Sequence, residues 1–228
     1  MKITVPTLLL DKERCLKNLE RMQQKALASQ VEFRPHMKTP QSNGVGEWLR
    51  EKGITKIATS SLRMAVYYAK GGWKDITVAF PINVLEIDLI NELAASIQLN
   101  ILVESVESVQ QVAKNLQQEV GVFIKIDAGY RRTGLAVGKM STIRAVVNSI
   151  SNTPKMTFKG FLMHAGHTYQ TKNNLEKVKQ IHNIHSNVAK TLRTQFQKDF
   201  PNLIISYGDT PSCSMLKEFT VFDELRPG

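Results

Sequence analysis

From Glu32 onward, short apolar runs alternate with longer stretches of helical periodicity, and this rhythm constrains the fold more than any other feature of the sequence. Strands separated by helix-length segments cannot pair as tight hairpins. They pair through crossover connections, which builds a parallel sheet covered by helices. Strand candidates fall at residues 32–38, 56–60, 75–80, 100–104, 120–127, 158–164, 203–208 and 221–226. Helical patterns lie between them at 44–51, 62–70, 84–95, 106–117, 139–150 and 174–197, and a short helix begins near Pro211. Eight strands in this order predict a (β/α)8 TIM barrel rather than an open doubly wound sheet. No GxGxxG follows the first strand, which argues against a dinucleotide fold. Ahead of the barrel, Asp11 reads as the N-cap of an extra helix running to about Ser29, with Leu16, Leu19, Met22 and Leu27 inward. That helix is expected to cap the bottom of the barrel or to pack outside it.

A chain of 228 residues, 42% of them hydrophobic, can bury one sizeable core, so residues 1–228 are read as a single domain. No apolar run approaches the roughly 20 residues that span a bilayer. The start, Met1 to Pro6, lacks a signal-peptide pattern, and Asp11 follows soon after. Cys15 and Cys213 stand far apart with no CxxC spacing, which points to a reducing cytoplasm rather than a disulfide framework. The net charge of +10 raises the question of nucleic acid. Yet the basic residues, among them Lys172, Lys177, Lys179, Lys190 and Arg193, are scattered over the predicted helices with few aromatics between them, and no zinc-finger, RRM or KH pattern is present. They read as a solvated face; a basic cleft suits a phosphorylated or carboxylated small ligand instead.

In a barrel of this kind the functional groups gather at the C-terminal ends of the strands. Those ends carry Lys38, Ser60, Phe80-Pro81, Glu104-Ser105, Asp127 with Arg131-Arg132, His164 with His167 and Tyr169, Gly208-Asp209-Thr210, and Arg226. Lys38 closes Arg34-Pro35-His36-Met37-Lys38-Thr39, and a lysine ending a buried strand is kept for pairing with an anion or for forming a Schiff base. In Ser206-Tyr207-Gly208-Asp209-Thr210-Pro211-Ser212, the glycine admits close backbone approach, and the N–H groups from Asp209 to Ser212 suit a phosphate. His164 and His167 read as a polar wall with Tyr169 as a donor or acid-base group, rather than as a metal pair or as satisfied core histidines. His182 and His185 read as surface residues of the long helix. By strand alternation Lys125 and Asp127 point to the same side as a buried acid-base pair or a structural salt bridge, with Arg132 within reach of a ligand.

This constellation resembles the fold-type III pyridoxal phosphate (PLP) barrels of the alanine racemase N-terminal type, in the branch of D-threonine aldolase and D-serine dehydratase. The resemblance is carried by Pro6-Thr7-Leu8-Leu9-Leu10-Asp11, Arg34-Pro35-His36-Met37-Lys38-Thr39, Asp127-Ala128-Gly129-Tyr130-Arg131-Arg132-Thr133-Gly134, His164-Ala165-Gly166-His167-Thr168-Tyr169, Gly208-Asp209-Thr210-Pro211 and Glu224-Leu225-Arg226-Pro227-Gly228. It implies that Lys38 is the Schiff-base lysine, that Tyr169 with Gly208, Asp209 and Thr210 holds PLP, and that Arg132 and His164 lie beside its ring. It further implies catalytic roles for Lys38, Tyr169 and His164 and a D-amino acid substrate. Members of the family continue past Arg-Pro-Gly into a β-rich C-terminal domain that this chain lacks, so the chain is expected to be one domain of a longer protein that dimerises when full length. A divalent metal, zinc or manganese, is implied only together with that domain; no metal ligand is assigned here.

The implied activity is a β-hydroxy D-amino acid lyase. In a dehydratase Lys38 is the base for Cα; in an aldolase the base takes the β-hydroxyl proton instead, and the sequence does not choose between them. An amino-acid racemase of the same fold is an alternative, although it needs a second base on the opposite face. A non-catalytic PLP-binding homeostasis protein, a lone barrel of about this length, is another.

Overall fold

A computed structural model describes residues 3–228. Eight strands form the barrel wall in the order β1 (Glu32–Phe33), β9 (Glu224–Leu225), β8 (Ile204–Gly208), β7 (Met156–His164), β5 (Val120–Asp127), β4 (Gln98–Val103), β3 (Asp75–Pro81) and β2 (Lys56–Thr59), every neighbour pair parallel. A two-residue β6 (Leu135–Ala136) pairs with the end of β5 off this path. A bridge between His36 and Ala58 joins the first strand segment to β2 and closes the circuit. The predicted run 32–38 is thus extended over most of its length but interrupted: Arg34 and His36 donate to the carbonyls of Leu225 and Pro227, Met37 donates to Ala58, and Pro35, without an N–H, only accepts.

The wall forms where the sequence is apolar on both faces. In β5 the residues Val120 to Ile126 are all buried, as a strand covered by helices outside and by barrel filling inside requires. Gly160 sits at a register shift between β5 and β7 with φ +134°; a Cβ there would lie 2.0 Å from the Ile204 carbonyl oxygen. Only glycine lets β7 and β8 approach at that point.

The helices follow the expected order: α1 (Lys12–Ala28), α2 (Asn43–Glu51), α3 (Leu62–Lys70), α4 (Ile87–Ala94), α5 (Val106–Ala113), α6 (Met140–Ser151), α7 (Leu175–Phe196) and α8 (Thr210–Met215). Asp11 does cap α1, accepting the Arg14 amide at 3.0 Å. Its inward stripe is Cys15, Leu19, Met22 and Ala26; Leu27 is 79% exposed and not inward as its apolarity suggested. The reason is angular: Ala26 stands seven residues from Leu19, nearly two full turns, and Leu27 is rotated a further step of about 100°. The helix packs outside the barrel, tied to α2 through Gln23 and to α8 through Lys25.

Inside the wall runs a polar ladder. Arg34 donates to Glu224 at 2.6 Å and to Asp75 at 2.7 Å; Glu224 accepts from Ser206, and Ser206 accepts from Arg226, which also donates to the Met163 carbonyl at 2.6 Å. Burial, the largest influence, raises the Glu224 carboxyl, but Arg34, Ser206 and Arg226 together outweigh it and hold the group below its ordinary value.

Candidate functional site

The strand ends meet at one mouth of the barrel. Lys38 is the first residue after the buried Met37, so it is exposed at the rim rather than buried in a strand. Its ammonium form is nevertheless disfavoured, first by the protein packed around it and then by the Arg132 and Arg226 guanidinium groups, which lower its pKa. The Lys38 amide donates to His36 Nδ1 at 3.3 Å. His36 is buried and is pushed down to about 2 by desolvation and by Arg226, Lys38 and His164. It is a neutral ring at physiological pH.

Across the mouth, His164 ends β7, and its Nδ1 lies 2.7 Å from the Gly208 carbonyl oxygen. A carbonyl only accepts, so Nδ1 carries the proton and Nε2 presents a lone pair. Burial is the main reason His164 falls to about 3; the Gly208 bond opposes it, and Arg226, Arg132 and Lys38 add to it. Tyr130 forms an edge contact with His164 at 5.8 Å and stacks on His167 at 5.7 Å. The Arg132 guanidinium lies 5.4 Å from the Tyr130 ring and 5.9 Å from Phe80, held over the mouth by aromatic faces.

The third part of the rim is the start of α8. Tyr169 is half exposed; its hydroxyl lies 3.2 Å from Thr210 Oγ1 and accepts the Thr210 amide at 3.1 Å. Thr210 Oγ1 in turn accepts the Gly228 amide at 3.0 Å. Asp209 turns inward instead: Oδ2 accepts from Thr168 and from the Ser212 amide, each at 2.7 Å, which caps α8. The donors expected along 209–212 are therefore committed within the protein, the Ser212 amide to Asp209 and the Thr210 amide to Tyr169, and the surface group at the rim is the mutually bonded set of Tyr169, Thr210 and Gly228. Gly208 answers first to the barrel, because a Cβ there would lie 2.7 Å from the Arg226 carbonyl oxygen.

Three expectations change. Lys125 and Asp127 form no ion pair among the described residues: Lys125 Nζ donates to the Ile126 carbonyl, while Asp127 binds the Gly129 and Arg131 amides of its own loop. Burial, then Arg226 and Arg132, bring Lys125 to about 7. His185 is fully buried and His182 half-buried, not surface residues; His185 stacks on His167 at 5.5 Å and meets the Tyr207 ring edge at 5.5 Å. Spacing carried that signal, since 178, 182, 185, 189, 192 and 196 make one heptad stripe on α7, four of them apolar and buried. Arg226 is legible as a strand end, but its charge acting on Lys38, His36 and His164 together is visible only in the fold. No group of three His, Cys, Asp or Glu side chains among the described residues is arranged to hold a metal.

Residues 10–228 match the family described as alanine racemase, N-terminal domain. The chain is 30% identical to D-serine dehydratase from Dictyostelium discoideum over 92% of its own length and 58% of the relative's. It is 26% identical to 3-hydroxy-D-aspartate aldolase from Paracoccus denitrificans over 72% of its length and 44% of that relative. The solved structure of D-threo-3-hydroxyaspartate dehydratase from Delftia sp. HT23 superposes with a TM-score of 0.91 at 25% identity, covering 99% of this chain and 60% of that one. The chain therefore spans less than two thirds of the length of these relatives.

Proposed function

The chain belongs to the alanine racemase N-terminal domain family, a family of fold-type III PLP enzymes, and from that premise we propose that it is the cofactor-binding barrel of a lyase acting on β-hydroxy D-amino acids. The observation that carries the reading is Lys38: a rim lysine whose pKa is lowered by its surroundings, facing two neutral histidines and a cluster of hydroxyl and amide donors.

The donor set suits PLP. Tyr169 Oη, Thr210 Oγ1 and the Thr210 and Gly228 amides are hydrogen-bonded into one group at the rim, the chemistry that holds a phosphate. The Asp209 charge is turned into the protein and does not oppose an anion there. Lys38 supplies the amine for the cofactor aldehyde, and its lowered pKa increases the neutral, nucleophilic fraction near pH 7. When bound, PLP supplies an electron sink for negative charge at the substrate Cα. His164 orients its free Nε2 towards the mouth from a ring fixed by Gly208, and Arg132 offers a guanidinium to a carboxylate or phenolate. Lys38 would be the base for Cα in a dehydratase, and His164, on which the Lys38 charge acts, and Tyr169 would be the acid-base groups of the same rim.

Residues 1–228 form the PLP domain in this reading. The length that relatives add supplies a second domain, any zinc or manganese ligands and the dimer contact. Two free cysteines accord with a cytoplasmic setting, and no helix among the described residues is long and apolar enough to cross a membrane.

The test is a PLP titration followed by absorbance with borohydride trapping, on the parent and on Lys38→Ala. A trapped adduct mapping to Lys38 in the parent and lost in the variant supports the reading. Equal PLP binding by both, with no adduct at Lys38, removes it. D-Serine, D-threonine and 3-hydroxy-D-aspartate, assayed with added divalent metal on a chain of the relatives' full length, then separate dehydratase from aldolase.

A further inference from the structure

Helix α8 is six residues long and carries Thr210 at its first position, so the placement of the rim hydroxyls depends on how a very short helix is held. Its N-terminal end is fixed by Asp209. Its C-terminal end is fixed from another part of the fold: Lys25 Nζ, reaching from the last turn of α1, donates to the carbonyls of Cys213 at 2.8 Å, Ser214 at 2.6 Å and Leu216 at 2.9 Å. A helix leaves its last carbonyls unpaired and its C-terminus partially negative, and a half-buried ammonium donating all three of its protons there satisfies both. The Ser212 carbonyl is taken by the Leu216 amide, so the carbonyl end is almost wholly accounted for. One turn later, the Ser29 hydroxyl that ends α1 accepts the Phe219 amide and holds the segment leaving α8.

Three main-chain carbonyls converging on one cationic nitrogen form the kind of cage that potassium or ammonium ions occupy. We propose that Lys25 is a positioning residue whose ammonium group takes the place of a bound monovalent cation, pinning α8 so that Thr210 meets Tyr169. The consequence for cofactor grip rests on the PLP reading above; the restraint on α8 does not. Lys25 touches none of the rim groups and acts on them only through the helix.

Cys213 provides the readout, since it lies in α8 with its thiol fully buried and its own carbonyl in the cage. In residues 1–228 carrying Cys15→Ser, Cys213 is the single thiol, and its rate of alkylation without cofactor reports opening of α8. Lys25→Ala is expected to raise that rate about ten-fold or more. Ammonium or potassium chloride should return it towards the parent rate, and tetramethylammonium chloride, too large for the cage, should not. Lys25→Met, which keeps the apolar stem, should open α8 as Lys25→Ala does without a matching loss of global stability in urea. PLP affinity should fall in both variants, while the pH dependence of borohydride trapping at Lys38 stays as in the parent.

An unchanged alkylation rate overturns the proposal, as does an equal response to all three salts, or labelling that only follows global unfolding. Faster labelling with PLP affinity within about two-fold of the parent overturns the link to the rim. Absence of any Lys38 adduct in the parent would instead remove the cofactor reading and leave the alkylation result to decide the cage by itself.

Discussion

The charges inside the barrel and the charges at its mouth are arranged by opposite rules. Along the ladder every cation meets an acceptor: Arg34 has Glu224 and Asp75, and Arg226 has Ser206 and the Met163 carbonyl. At the mouth, Lys38 and Arg132 crowd together without an acidic partner among the described ion pairs, and the histidines beside them are kept neutral. Charges that hold the fold are paired, because an unpaired buried charge costs several kcal/mol. Charges left unsatisfied where solvent enters are available to a ligand. Arg226 belongs to both regions, since it is bonded into the ladder while its field reaches Lys38, His36 and His164.

The contrast can be broken most forcefully from below. Glu224→Ala takes from Arg34 one of its two carboxylate partners and from Ser206 its acceptor, leaving Arg34 with the Asp75 carboxylate alone, and should cost about 3–5 kcal/mol in urea denaturation; a cost below about 1 kcal/mol would show that the ladder holds nothing. Lys125 lies between the two regions, buried yet bonded only to a carbonyl. Its folded pKa of about 7 lies below the ordinary 10.5, so the unfolded chain binds the extra proton and stability should rise with pH across that window. Lys125→Met should therefore stabilise the protein by about 2 kcal/mol at pH 7. The gain should shrink as pH approaches 10, and a variant with the parent's pH slope would contradict the assignment.

At the rim, effects should fall on ligand binding and leave stability almost untouched. Tyr169→Phe should weaken PLP binding about ten-fold, read by absorbance titration, with urea midpoints unchanged. Arg132→Ala should act least. It removes one of three causes that lower Lys38, so the midpoint of borohydride trapping against pH should move upward by less than about one unit. A downward movement would show that Arg132 does not face Lys38.

The sequence made the wall readable because its elements are governed by local pattern. Residues 120–127 and 62–70 form β5 and α3 within the expected limits, since an unbroken apolar run and a 3.6-residue stripe each admit one structure. The rim was legible where strand ends carry unusual residue types, as at Lys38, His164 and Thr210. What was not legible depends on contacts between distant segments. Strand alternation places Lys125 and Asp127 on one face, but only the folded loop shows that Asp127 is occupied by the Gly129 and Arg131 amides. His185 differs for another reason: its polarity suggests the surface, whereas the helical period makes its position internal.

The seam between β1 and β9 has a consequence in time. Arg34 and Glu224 meet across 190 positions of chain, and the backbone bonds from Glu32 to Asp223 and from Arg34 to Leu225 span the same gap. Loop-closure entropy makes such contacts late ones, whereas β2 to β5 pair with near neighbours in sequence. On a ribosome the first strand must wait, its edge unpaired, until nearly all 228 residues have emerged. Slow synthesis through residues 221–228 would prolong that open intermediate, and the yield of folded protein is where the delay would be felt.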